Sequence, residues 1–187
     1  MRSHPHHTVK LKTEYCTRDA AALQVLSQLL TFKYLHGEIR EKGGAYGGGA
    51  SYDALNSLFS FYSYRDPKPG QSITTFNQSV DQIIEKIEKG VINPEEDLEQ
   101  AKLTIFQKID APMTVREEGM SLFNFELDDD LKQERREYLL DCSLDDVKQV
   151  AEKYFSDEVE RSSVIIGTDA DKEAGLPGEN WTISKLS

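Results

Sequence analysis

Leu35-His36-Gly37-Glu38-Ile39-Arg40-Glu41-Lys42-Gly43-Gly44-Ala45-Tyr46-Gly47-Gly48-Gly49-Ala50 is the stretch that decides how this chain is read. Upstream of it, Leu23, Val25, Leu26, Leu29, Leu30, Phe32 and Leu35 recur too densely for a surface helix. They predict a mostly buried helix from about Ala20 to Arg40, with Asp19 as N-cap. Five glycines within the seven residues 43–49 then break it. Two β-type segments follow, about Ala45–Tyr52 and Ser57–Arg65, around the turn Asp53-Ala54-Leu55-Asn56. In the second, Phe59 and Phe61 alternate against Leu58, Tyr62 and Tyr64, which predicts a hairpin with one buried face.

A hairpin with a buried face needs a covering layer, and the rest of the chain supplies helices. Ile73, Phe76, Val80, Ile83, Ile84 and Ile87 fall on one helical face, closed by Lys89-Gly90. Asn93-Pro94-Glu95-Glu96 starts another helix, with an Asn cap, Pro in the first turn and acids at the positive end of the dipole. Its stripe is Leu98, Ala101, Ile105 and Ile109, and Pro112 closes it. Shorter helices are expected at about Arg116–Phe125 and Asp129–Leu140, and Ser143 and Asp146 frame a capping box for a helix to about Phe155. Thr8–Tyr15 reads as an edge strand and Ser162–Gly167 as a closing strand. The fold class is α+β, a sheet covered on one face by several helices. Residues 1–16 form a poorly assigned N-terminal segment, 17–167 a single domain and 168–187 a loose tail, to which Gly175, Pro177, Gly178 and Trp181 belong.

The length of 187 residues suits one domain with its own core. Two cysteines, Cys16 and Cys142, exclude a disulfide scaffold and any Cys-based zinc knuckle. No apolar run approaches a membrane span. Met1–His7 lacks the apolar core of a secretory signal and is too poor in Arg and Ser for a transit peptide. With 22 Lys and Arg against 33 Asp and Glu, the net charge is -11. That field repels nucleic acid and favours encounter with cationic partners, basic peptides among them.

Four histidines occur, His4, His6, His7 and His36. Neither H-E-x-x-H nor H-x-x-E-H is present, so no metal site of its own is expected. His4, His6 and His7 read as a terminal tag or tail. The glycine stretch fails both phosphate-loop patterns and runs from helix to strand, the wrong order for a nucleotide loop. Glycines beside an incipient strand favour lodging an extended peptide against a sheet edge instead. Arg40 and Tyr46 then stand on either side of Gly43 and Gly44, a cationic fork and a phenol suited to a peptide carbonyl or a developing oxyanion. The same two residues can equally be structural, Arg40 paired with Glu41 or the helix C-terminus and Tyr46 in the core.

The stretch 35–50, with Phe61-Tyr62-Ser63-Tyr64-Arg65-Asp66-Pro67, resembles the C-terminal part of the presequence protease and falcilysin subfamily of the pitrilysin/insulinase zinc metallopeptidases. Glu99-Gln100-Ala101-Lys102-Leu103, Ile109-Asp110-Ala111-Pro112, Gly119-Met120 and Lys132-Gln133-Glu134-Arg135-Arg136-Glu137 agree, and the likeness covers about Thr17 to Phe155. The resemblance implies a clamshell enzyme of the mitochondrial matrix that degrades unstructured, often basic peptides. Its zinc and H-x-x-E-H motif belong to an N-terminal half that is not in this sequence. It further implies that Arg40 and Tyr46 grip substrate across from that zinc, while this chain holds no catalytic residue or metal and is inactive alone. The alternative is a non-catalytic scaffold or peptide-binding module of the same fold.

Overall fold

Composition makes the segment after Thr17 the centre of the molecule. The computed structural model describes residues 3–115, 119–156, 159–173, 176–177 and 181–185. Helix α1 (Arg18–Leu30) buries Ala20, Ala21, Ala22, Leu23, Val25, Leu26, Leu29 and Leu30, so apolar side chains point in every direction. A helix of that kind is stable only when enclosed. Its N-cap is Thr17, whose hydroxyl accepts from the Ala20 N–H, rather than Asp19. Asp19 lies in the first turn and instead accepts from Lys153 Nζ at 2.6 Å and Tyr154 Oη at 2.7 Å. Without a break the chain continues as α2 (Thr31–Lys42), a wider-wound helix of the i→i+5 type.

The sheet has four antiparallel strands in the order β2-β3-β1-β4: β1 His4–Lys10, β2 Gly47–Asp53, β3 Leu58–Tyr64 and β4 Arg161–Ile166. The hairpin and its turn stand where the alternation puts them, with Phe59 and Phe61 inward and Tyr62 and Tyr64 outward. Two expectations fail at the N-terminus. Residues 4–10 form a strand between β3 and β4, not an edge, and Val9 pairs with both Phe59 and Arg161. His4, His6 and His7 therefore belong to the sheet and not to a tail. The alternation of His4, His6 and Thr8 against Pro5, His7 and Val9 is a strand pattern hidden by its polar residues.

Strand β2 is the edge next to α2. Thr31 Oγ1 donates to the Ala50 carbonyl at 3.2 Å and accepts from the Ala50 N–H at 2.8 Å. A Cβ on Gly48 would lie 3.0 Å from both Ile39 Cγ2 and the Tyr62 carbonyl oxygen, so the glycine lets helix and strand approach closely. The glycine-rich strand thus seats a helix of the same chain at Ala50, where the sequence suggested an extended peptide.

Helix α3 (Pro69–Glu88) packs on β1 and β3 and buries Ile73, Phe76, Val80 and Ile83, with Ile84 and Ile87 half-buried. The short wide turn α4 (Pro94–Leu98), capped by the Asn93 side chain on the Glu95 N–H, leads into α5 (Glu99–Ile109). Ala101 and Ile105 of its stripe are buried, but Ile109 is exposed. Helix α6 (Met120–Phe125) buries nothing; the start of the helix expected there, 116–118, lies outside the described residues. Helices α7 (Asp129–Asp141) and α8 (Leu144–Tyr154) pack on α1. The capping box at α8 is complete, with the Ser143 hydroxyl accepting from the Asp146 N–H and the Asp146 carboxylate from the Ser143 N–H. In the expected tail, residues Asp169–Glu173 form a short helix, α9. The Asp171 carboxylate accepts from the buried Ser3 hydroxyl at 2.6 Å, while Gly175 and Gly178 lie outside the described residues.

Ile83 is fully buried between α3 and the body of the domain. Ile83→Asp strands an unpaired carboxylate in that core, a cost of several kcal/mol on the scale of a whole domain's stability of about 5–15 kcal/mol. The expected result is loss of the cooperative melting transition, checked by circular dichroism; a parent-like melt contradicts the packing.

Candidate functional site

The end of α2 and the start of β2 bring the candidate residues to one corner of the sheet. The Arg40 carbonyl accepts the N–H of Gly43 and, at 3.1 Å, that of Gly44, and the Ile39 carbonyl accepts that of Ala45 at 3.1 Å. Gly44 has φ +81°, the left-handed conformation that a side chain disfavours. A Cβ on Gly43 would sit 2.5 Å from the Ile39 carbonyl oxygen. These two glycines therefore make the sharp exit from the helix. The Tyr46 N–H then donates to the Tyr64 carbonyl at 3.0 Å, joining the loop to β3 one residue before β2 begins.

Tyr46 is 67% exposed, so it is not a core residue. Its hydroxyl has no hydrogen bond among the described residues, while its ring meets Tyr64 edge-on at 5.9 Å. Arg40 is exposed as well, and no hydrogen bond, ion pair or ring contact engages its guanidinium among the described residues. Neither structural alternative raised by the sequence holds: Arg40 does not pair with Glu41, and only its carbonyl serves the helix end. No hydrogen bond or cation–π contact joins the two side chains among the described residues.

Sequence reasoning passed over two neighbours. The Arg65 guanidinium lies 5.8 Å from the centre of the Tyr46 ring and 5.4 Å from that of Tyr64. Asp66 is buried and binds the corner together. Its carboxylate accepts from the hydroxyls of Ser63 and Ser72 and from the Lys68 N–H, the last at 2.7 Å. Both residues stand in the quoted stretch 61–67, but no spacing rule distinguishes a buried aspartate from a turn aspartate.

The arrangement is an open shelf, not an enclosed pocket. A cavity of about 420 Å³ opens elsewhere, between α3, α8 and the sheet over Phe61, Phe76 and Phe155, and neither Arg40 nor Tyr46 lines it. Among the described residues no three His, Cys, Asp or Glu side chains gather to hold a metal ion. His4 and His6 project from the open face of the sheet, whereas His7 is turned toward the helices, with Nδ1 2.7 Å from Ser163 Oγ. A shelf with a free guanidinium and a free phenol can donate hydrogen bonds to a carbonyl oxygen.

The family described as "PreP C-terminal domain" matches residues 12–169. The mitochondrial presequence protease of Saccharomyces cerevisiae is 50% identical over 183 residues, covering 97% of this chain and 18% of that protein. That of Kluyveromyces lactis is 49% identical over 162 residues, covering 86% of this chain and 16% of that protein. The chain thus spans less than a fifth of the length of these relatives. Among solved structures, a protease from Helicobacter pylori matches with TM-score 0.66 at 20% identity, over 88% of this chain and 40% of that one. Pitrilysin matches with TM-score 0.54 at 15% identity, over 87% of this chain and 18% of that one. At such identities the structural likeness concerns the fold.

His7 yields a pH prediction for the domain. Burial, followed by the nearby Arg161 and His6, pushes its pKa from 6.5 down to about 4. Between those values the unfolded chain takes up a proton that the folded chain refuses, so stability falls as pH drops from 6.5 to 4 and levels off below. The full effect is at most about 3 kcal/mol. In urea unfolding, the stability difference between the parent and His7→Gln should shrink across that window. A pH-independent difference contradicts it.

Proposed function

The chain belongs to the presequence protease family as its C-terminal domain, and from that premise we propose that it supplies the metal-free wall of a peptide-degrading site in a mitochondrial metalloendopeptidase. The observation that carries this reading is the pair Arg40 and Tyr46. Both are exposed at one corner, both present polar groups without a partner among the described residues, and the glycines between them are spent on bringing that corner about. A planar guanidinium holds both charge and direction toward a carbonyl oxygen. A phenol is a neutral donor whose hydrogen bond strengthens as the oxygen gains charge. Gly43 and Gly44 act by bending the chain and leaving the backbone open beside the substrate. Among the described residues no three His, Cys, Asp or Glu side chains gather to hold a zinc ion, and this reading assigns the zinc to the remainder of the longer enzyme.

Substrates in this reading are unstructured peptides released in the mitochondrial matrix, basic ones above all. The net charge of -11 supports that class, because it raises the local concentration of cations. The competing reading, a scaffold of the same fold without catalytic part, has less support, since a pure scaffold has no use for an unpaired guanidinium and phenol on a shelf.

Two measurements test the proposal. The isolated chain should not cleave a fluorogenic peptide, because no metal-ligating cluster that could activate water gathers among the described residues; chelator-sensitive cleavage by the pure chain overturns that part. In the longer protein, Tyr46→Phe should lower kcat by about 100- to 1000-fold, the typical loss for one oxyanion donor, with a smaller change in KM. Arg40→Ala should damage both constants. The melting temperature should stay put for Tyr46→Phe, whose hydroxyl makes no hydrogen bond among the described residues. Wild-type kinetics in both variants would establish the scaffold reading.

A further inference from the structure

The Tyr46 side chain protrudes from the loop, and among the described residues no hydrogen bond aims it, so its direction must come from its ring. Among the described residues two aromatic or charged groups meet that ring. Tyr64 meets it edge-on at 5.9 Å, and Tyr64 is itself backed by the His4 ring at 4.9 Å. The other is Arg65, whose guanidinium spans both tyrosines and makes no ion pair among the described residues. Its charge is met by two π faces instead of a carboxylate.

Arg65 reaches that place through an uncommon backbone conformation. Strand alternation, with Phe59, Phe61 and Ser63 turned inward, would send residue 65 toward the helices. Its φ of +52° turns it outward, into the left-handed region that non-glycine residues seldom occupy. Such a conformation persists only where the surroundings over-determine it. The next residue does so: Asp66 is buried, its carboxylate takes three donors, and its N–H and C=O pair with Ser3 at 2.8 and 3.1 Å. The Arg65 N–H also points to His4 Nδ1 at 3.4 Å.

We propose that Arg65 is a positioning residue: held outward by the Asp66 turn, its guanidinium stacks on Tyr46 and Tyr64 and fixes the direction in which the Tyr46 hydroxyl points. The proposal rests on the reading of Tyr46 as a substrate-facing donor. Arg65 acts through that ring and does not itself contact substrate. The interaction is exposed, so its loss should be modest, about two- to fivefold in rate.

A double-mutant cycle in the longer protein, with peptide hydrolysis as the readout, tests it. Arg65→Met should lower kcat about two- to fivefold with KM little changed, and Arg65→Lys should recover part of the loss. In a Tyr46→Phe background Arg65→Met should cost nothing further, because the hydroxyl being aimed is gone. An undiminished penalty there means that Arg65 acts on its own and overturns the proposal. Arg65→Asn separates aim from folding, since asparagine suits the left-handed conformation better. It should melt at or above the parent temperature and still lose rate; full activity overturns the proposal. In the chain itself, NMR of labelled tyrosine rings should show Arg65→Met shifting the Tyr46 and Tyr64 signals. Should Tyr46→Phe prove kinetically silent, the substrate-facing reading fails, while unmoved ring signals defeat the Arg65–Tyr46 coupling independently of activity.

Discussion

One buried carboxylate fixes the corner on which the proposed site stands. Asp66 closes β3, and its oxygens take the Ser63 hydroxyl from the strand just ended, the Lys68 N–H from the connecting turn and the Ser72 hydroxyl from the first turn of α3. Its backbone pairs with Ser3, which is fully buried and passes the connection to Asp171 after β4. A buried charge is tolerable only when its acceptor sites are filled, and here donors from three successive elements fill them. The order of events in space follows from that need: the sheet must end, the chain must turn and the helix must begin around one group.

The second constraint is the enclosure of α1. A helix that is apolar all round must be covered by strand β2 on one side and by α5, α7 and α8 on others. Its continuation α2 then runs along the edge of β2, close enough for Thr31 to serve the Ala50 backbone. An edge strand left open invites pairing with another chain, and this one is covered by its own helix at Ala50. The exit from α2 therefore lies at the sheet's corner, so Arg40, before the glycine turn, and Tyr46, after it, emerge beside β3. The helices lie on one face, and the opposite face carries His4, His6, Tyr62 and Tyr64.

Buried cations show how the helical layer is keyed. Arg135 of α7 is buried with no carboxylate partner among the described residues, donating to the Tyr15 carbonyl at 2.5 Å and to the Gln24 side chain, with the Tyr15 ring centre at 4.6 Å. Lys102 of α5 donates to the Leu140 carbonyl at 2.7 Å. Each ties one helix to a backbone oxygen elsewhere in the chain, Lys102 while also pairing with Glu99 of its own helix at 3.1 Å.

Local pattern alone was enough for the long elements. The period of Ile73, Phe76, Val80 and Ile83, the alternation of β3, the Asn93 cap and the Ser143–Asp146 box are signals carried by neighbours in the chain, and each stands where the sequence puts it. That Arg40 and Tyr46 flank a glycine turn was also legible, because residue types and spacing are local facts; that both are exposed was not. What the sequence could not decide depends on partners far away in the chain. A strand rich in histidine looks like a tail until β3 and β4 are seen on either side of it, and glycines look like an open edge until α2 is seen lying on them. Asp66 reads as one more turn aspartate until Ser3 and Ser72 converge on it, and Arg65 as one more surface charge until its backbone turns it onto two tyrosines. Burial and direction are properties of the assembled surface, and no window of neighbouring residues contains them.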